Sequence, residues 1–379
     1  MSLSPPAFPS RSALALAMTL AFTAASCETP TADDTAQRAV MHDLAYEVML
    51  PIYDELEKEA LPLPPAVAAF CDAPTEDTLK AAQAAWRAAR VPWKHAEAFR
   101  FGPVEDLRIG SAIDFWPARP DSIESAITAA PEPVTAAHIA SLGVSTKGLP
   151  ALEYLLFDPA GGNAAILASL GSADATGKKR CAYARALAET IAADVTTAQE
   201  AWSLEGGAFV DQVAKAGSGS TLFLTGQDGI ARVVNLLVFA MQAVAENRVS
   251  GPLGAVSGVG PDPTIVESRF SDNSIEDLLG TLRGVEDVYL GRHGDRSGRG
   301  ITELVAARSP AIDSSVRKAF TDAAAAVSAI PAPLRTAITN DPAAVTKAHD
   351  ALRVLRRLLS TDVASVLGVS VTLSDNDGD

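Results

Sequence analysis

Trp86, Arg90, Trp93, Glu97 and Arg100 follow one another at intervals of four, three, four and three residues, which places them on one face of a helix. A surface helix ordinarily separates apolar from charged positions, yet this stripe mixes indoles, guanidiniums and a carboxylate. Facing inward, it must pair its charges or hold a ligand, because unpaired buried charge is strongly unfavourable. Facing outward, it is a wet amphipathic surface on which arginine stems pack against tryptophan rings. The chemistry offered by the first arrangement is recognition of a charged or polar ligand between helices.

A second group centres on Glu153, in Lys147-Gly-Leu-Pro-Ala-Leu-Glu-Tyr-Leu-Leu-Phe157. Gly148 suits a turn and Pro150 the start of a helix. Glu153 then lies between Leu149 and Leu156 on an apolar face, where a carboxylate is paired, protonated or a ligand. Asp114 and Glu267 are further candidates, with Arg269 as a counter-charge. Together with Glu97 and Glu153, the two taken as metal ligands, they would form an oxygen-only site for calcium, magnesium or ferric ion. Each carboxylate taken alone reads as a salt-bridge partner rather than a ligand, and the case for a site rests on their convergence. Ser274 and Asp277 have the spacing of a helix cap.

The histidines are His42, His95, His138, His293 and His349, and none has H-E-x-x-H spacing. His95 and Glu97 point to different helix faces, and His293 falls in Gly291-Arg-His-Gly-Asp-Arg-Ser-Gly-Arg-Gly300, read as a flexible solvated loop. A catalytic zinc ordinarily takes three protein ligands and an open position. No G-x-S-x-G elbow is present either.

The elements that must position these residues are helical. Of the 379 residues 48% are hydrophobic, many of them alanine, and 6% are aromatic, a composition that favours helix over strand. The pattern predicts helices near 35–50, 75–102, 121–140, 149–157, 179–203, 229–249, 274–290 and 345–367, with shorter ones at 301–308 and 311–329. Leu61-Pro-Leu-Pro-Pro65 reads as a rigid connector. Linkers are expected at 158–177, 204–228, 250–264 and 291–300, and strands nowhere. The fold class is therefore all-α.

A net charge of −15 argues against nucleic acid as a partner. Arg11, the apolar run Ser12–Phe22 and the small residues before Cys27 read as a cleaved export leader over residues 1–26. Ala24-Ala-Ser-Cys27 resembles a bacterial lipobox, in which Cys27 would carry lipid and anchor the chain to a membrane. Glu28 is not the aspartate linked to inner-membrane retention, so the expected location is the outer membrane, facing the periplasm. No later stretch reads as a bilayer span. Cys71 and Cys181 remain, and in an oxidising compartment their one pairing is expected as a disulfide.

The Gly148–Glu153 segment resembles the GxHxxE signature of the imelysin family. Phe99-Arg-Phe-Gly102, Ile113-Asp-Phe-Trp-Pro117, Glu246–Gly254 and Val266–Leu278 resemble other family segments in order and spacing, over residues 40–365. The resemblance implies two helical-bundle domains related by a pseudo-twofold, with a pocket near their interface and an iron-regulated envelope role. The division expected is a tether at 27–40, bundle halves at 41–203 and 229–367 joined by 204–228, and a disordered tail at 368–379. The family histidine is Pro150 here, which cannot ligate a metal. The expected function is therefore non-catalytic binding of iron, another hard cation or a small ligand in the inter-domain cleft. An assembly lipoprotein docking an envelope protein is the alternative, and a metallopeptidase the third reading.

Overall fold

The computed structural model describes Met1, residues 32–254 and residues 258–372. The expected leader, the lipidation site Cys27 and most of the expected tail lie outside the described residues. The described residues are all-α apart from one small hairpin.

The first helix begins at Ala32, inside the stretch expected to be a tether. α1 (Ala32–Asp43) runs through a π-helical turn (Leu44–Met49) into α2 (Leu50–Ala60). Pro51, which has no N–H to donate, follows the π-helical turn within this continuous helix. The expected proline connector instead opens a helix, α3 (Leu63–Asp72), because a missing N–H matters little in a first helical turn. α4 (Glu76–Ala96) starts at a capping box formed by Thr75 and Thr78 and ends in a 3-10 turn, Glu97–Phe99.

Short helices α5 (Pro103–Asp106) and α6 (Ile109–Ile113) follow. The expected helix over 121–140 is two, α7 (Pro120–Ala129) and α8 (Ala136–Ser141), because Pro131 and Pro133 disfavour helical geometry in the residues before them. α9 (Gly148–Leu156) carries Glu153. Gly148 is required there: its φ is +78°, and a Cβ would stand 2.4 Å from the Ile113 carbonyl oxygen. The 158–177 linker contains α10 (Gly162–Ser169) before the long α11 (Ala175–Trp202), capped by Asp174.

The linker expected at 204–228 contains α12 (Phe209–Ala214). α13 (Gly226–Gln242) continues through a π-helical stretch (Ala243–Ser250) to α14 (Gly251–Leu253). By length and composition this continuous helix from Gly226 to Leu253 could cross a membrane, contrary to the expectation of no such stretch. It is a core helix, however: Ile230, Val233, Val234, Leu237, Val238 and Met241 are buried inside the protein.

α15 (Ser274–Leu290) leads into β1 (Arg292–His293) and β2 (Arg296–Ser297). The solvated loop expected at 291–300 is thus an antiparallel hairpin, with His293 opposite Arg296. Its two-residue turn places Gly294 at φ +56°, a conformation glycine adopts freely. Arg299 pairs with Asp43, and Arg296 with Glu47, which pins the hairpin to the first helical segment. α16 (Ile301–Arg308), α17 (Pro310–Ser328), α18 (Leu334–Asn340), α19 (Pro342–Arg357) and α20 (Ala364–Val366) complete the chain.

One helical group is built from α2, α3, α4 and α11, and a second from α13, α15, α17 and α19. The seam between them is α4 lying along α15. Gly280 and Gly284 permit this approach, because a Cβ at Gly280 would meet Lys94 Cβ at 2.9 Å and one at Gly284 the His95 carbonyl oxygen at 2.2 Å. Chain order and spatial grouping part at the N-terminus, since α1 packs on α13 and α16.

Cys71 of α3 and Cys181 of α11 are bonded, closing a separation of 110 residues. In the chain-entropy model a loop of that size stabilises the fold by on the order of 5 kcal/mol. Urea unfolding of Cys71→Ser/Cys181→Ser should therefore show a loss of roughly 2–5 kcal/mol. An unchanged midpoint would mean that the bridge constrains nothing in the unfolded chain.

Candidate functional site

The α4 stripe faces inward. Trp86, Arg90, Trp93 and Glu97 are all buried, and Arg90 is only 1% exposed. The charges therefore need partners, and they find them across the seam. Arg90 donates from Nε to Asp277 (2.9 Å), from Nη1 to Asp114 (3.0 Å) and from Nη2 to Glu267 (3.0 Å). Three carboxylates from three separate segments thus share one guanidinium, a geometry the planar fork of arginine permits.

Lys94, one turn beyond Arg90, lies 2.9 Å from both Glu267 and Glu97. Arg248 grips Glu97 through two bonds of 2.8 and 2.6 Å, and Thr281 adds a third donor at 2.7 Å. Arg248 Nε is also 3.0 Å from Glu267 Oε2, but it is out of line for hydrogen bonding, so that oxygen is ion-paired yet lacks a hydrogen bond. Trp93 donates its indole N–H to Asp114 at 2.9 Å. Asp277 also accepts from Ser268 and Asn273.

These contacts decide the protonation states. Burial pushes Asp114 and Glu97 up, but the charges of Arg90 and Lys94 on the first, and of Arg248, Lys94 and Arg100 on the second, hold both below the usual carboxylate range. Burial opposes the charge on Arg90, yet Asp114, Asp277 and Glu267 keep it more firmly protonated than usual. Arg100 is only partly buried and lies over the Trp93 ring at 5.7 Å.

Glu153 is placed differently. Trp86 donates to the Leu149 carbonyl at 3.0 Å, fixing the start of α9 against α4. The loop before α15 then wraps the carboxylate, with Phe270 N, Ser271 N and Ser271 Oγ at 3.0, 2.8 and 2.7 Å, all on Oε1. Ser268 and Asp272 in this loop have left-handed φ values of 49° and 57°, which non-glycine residues seldom adopt. Among the described residues, no cation comes within ion-pair distance of Glu153. Burial accordingly raises its pKa to about 7, against the lowering effect of the Ser271 bonds and the charge of Arg90.

Glu153, Glu267, Asp114 and Arg269 line one narrow cleft of about 10 Å³, room for one water-sized species, with Pro150 and Trp116 in its wall. Arg269 is half-buried and rests 4.6 Å above the Phe270 ring. The indole N–H of Trp116 is buried without a partner. The structure thus brings Arg90, Asp114, Glu153, Glu267 and Arg269 to the cleft. Trp86 and Trp93 act behind it as anchors, and Glu97 is engaged away from it with Arg248, Lys94 and Thr281. For an incoming cation the cleft offers Glu153 Oε2, which receives none of the loop's hydrogen bonds, whereas Glu267 Oε2 is already ion-paired with Arg248.

Lys94, Arg248 and Asp277 were not among the sequence candidates. Lys94 had a legible signal, standing four residues after Arg90 and three before Glu97 on the same helix. Asp277 had been assigned to a cap with Ser274, but Ser274 Oγ donates to the Glu267 carbonyl instead. Asp277 is therefore free to receive Arg90.

A sequence model of the imelysin family matches residues 49–361. Iron-regulated protein A of Synechococcus elongatus is 29% identical over 291 residues, covering 76% of this chain and 75% of that protein. Two crystal structures have the same fold. A chain described as an iron-regulated protein A precursor from Parabacteroides distasonis superposes with a TM-score of 0.74 at 21% identity, covering 90% of this chain and 97% of that one. An imelysin-like protein from Psychrobacter arcticum gives 0.71 at 18% identity, covering 89% and 98%.

Two outcomes follow from the geometry. Arg90→Met strands three buried carboxylates, so urea unfolding should show a loss of about 3–5 kcal/mol; a loss below about 1 kcal/mol, the range of exposed pairs, would mean the network is not structural. Glu153, whose folded pKa lies above its unfolded one, favours the fold most below pH 4.5 and loses that contribution as pH rises to about 7. Glu153→Gln removes the ionisation. Its melting temperature relative to the parent should climb between those pH values and then level off, and a pH-independent difference would contradict the assignment.

Proposed function

The chain belongs to the imelysin family, and from that premise we propose that it is a lipid-anchored envelope protein that captures an iron-related cation or another small polar ligand at Glu153, without catalysis. The observation that carries the reading is Glu153 itself. It is a buried carboxyl at a cleft, poised near neutrality, with one oxygen anchored by the loop before α15. When it ionises, it is a buried charge without a counter-ion, a state that an entering cation relieves.

One neighbour supports a ligand in that cleft. The Trp116 N–H is buried without a hydrogen bond, and an unsatisfied buried group of this kind is uncommon and unfavourable. Oxygen donors suit a hard cation such as ferric ion better than a soft one. The iron-regulated name of the Synechococcus relative points the same way. Against hydrolysis stands Pro150, which occupies the position of the family histidine and removes the nitrogen ligand a catalytic metal would draw from this helix. The expected envelope location rests on the leader and Cys27, with the Cys71–Cys181 bridge as a companion feature of exported chains.

The test is a thermal melt of the untagged chain with ferric citrate, together with elemental analysis of the dialysed protein. A ligand held by the folded state at about a hundred times its Kd stabilises by roughly 2.7 kcal/mol. Iron should be retained and the melting temperature should rise, with both effects lost in Glu153→Ala. Absence of both iron retention and a melting shift in the parent would overturn the iron reading. Separately, Cys27→Ser should move the protein from the detergent-extracted membrane fraction to the soluble periplasmic one. An unchanged distribution would remove the lipid anchor.

A further inference from the structure

At the far end of the α4–α15 seam, Glu55 of α2, His95 in the last turn of α4 and His293 of β1 converge. Each can offer one ligand atom, and these atoms all lie within 4.8 Å of one another. His293 is held between two carboxylates, with Nδ1 3.1 Å from Asp287 and Nε2 2.9 Å from Glu55. Nδ1 of His95 is buried and has no hydrogen-bond partner. The two imidazole rings meet edge to face at 5.8 Å. A cleft of about 500 Å³ opens over the cluster.

We propose that this cluster is a second ligand site, a divalent transition-metal site of the zinc type, with Glu55, His95 and His293 as protein ligands and the cleft supplying the open position. The donor set decides the class. Two imidazoles and a carboxylate suit a borderline cation such as zinc, whereas calcium and magnesium take oxygen. Tetrahedral zinc at about 2.0–2.2 Å from nitrogen and oxygen would separate neighbouring ligands by roughly 3.3 Å. The Glu55–His293 distance of 2.9 Å is already close to that, and the other separations, all within 4.8 Å, close by small rotations of the Glu55, His95 and His293 side chains.

Asp287 gives the site its orientation. By accepting from Nδ1 of His293 it fixes the tautomer that presents Nε2 to the metal, the usual carboxylate–histidine–metal relay. The surrounding charge is also permissive. Arg283 and Arg292 border the cleft, but both lie within ion-pair reach of Glu286, at 3.4 and 3.6 Å. The framework is rigid, since Gly284 lets α15 press against the His95 backbone, and the hairpin bearing His293 is tied down through Asp43 and Glu47.

The experiment is titration of the untagged, disulfide-intact chain with zinc chloride by calorimetry, with cobalt(II) as the spectroscopic probe. One zinc per chain should bind at this site, and cobalt should show the strong visible bands of a tetrahedral nitrogen–oxygen environment. His95→Ala and His293→Ala should each weaken zinc at least about 100-fold and abolish the bands, while Asp287→Asn should cost roughly 10-fold. Glu55→Gln, on a half-exposed side chain where misfolding is not an issue, should weaken zinc comparably. Glu153→Gln should leave zinc binding unchanged, which separates this site from the iron cleft. Absence of zinc binding, or binding undiminished in Glu55→Gln and His293→Ala, would overturn the proposal.

Discussion

Arg90 holds a full charge in the interior at 1% exposure, and it does so because three carboxylates reach it at once. Asp114 follows α6, Glu267 lies in the loop before α15 and Asp277 is within α15, so one side chain fixes three segments against α4. Buried ion networks often add little net stability, because desolvation offsets the attraction, and breaking one leaves a stranded charge. What such a network does enforce is position. If α15 slid along α4 by a turn, Asp277 would leave the guanidinium, and the loop that holds Glu153 would move with it. The geometry of the cleft therefore depends on Arg90 although Glu153 does not touch it.

Much of the fold could be read from local pattern, because alanine-rich periodic segments specify helices without reference to the rest of the chain. The errors cluster at prolines. Pro62, Pro64 and Pro65 were read as a connector, yet prolines in a first helical turn remove only N–H groups that have no helical partner, so α3 begins among them. Pro131 and Pro133 were passed over in a helix they interrupt. The same residue type breaks or starts a helix according to its position, and periodicity alone does not separate the two.

The site was legible along α4 and obscure across the seam. Intervals of three and four placed Arg90 and Glu97 on one face, and burial then required partners for them. Which partners could not be deduced, since Arg90 and Asp277 are 187 residues apart and no local spacing encodes that meeting. The spacing of Ser274 and Asp277 suggested a cap because a local explanation was available. The histidines show the same bias: His95 and His293 were weighed only against nearby residues, while Glu55, the partner of His293, is 238 positions away. One local signal was overlooked, the Gly-Asp pair between Arg292-His293 and Arg296-Ser297, which is a hairpin pattern.

The charge balance explains why Glu153 stands apart from its neighbours. Arg90, Lys94 and Arg248 face Glu97, Asp114, Glu267 and Asp277, so the buried carboxylates already outnumber the buried cations before Glu153 is counted. An ionised Glu153 would deepen that excess with no cation in contact, and the Ser271 donors only partly offset its burial. A histidine at position 150 would offer the cleft a neutral donor or a positive charge; Pro150 offers neither. The protein is left with one carboxyl that it cannot easily ionise alone. Such a group would be stabilised as an anion by any positive charge entering the cleft, so in the proposed binding reaction proton loss and cation entry at Glu153 are coupled by the same electrostatics that hold α4 to α15.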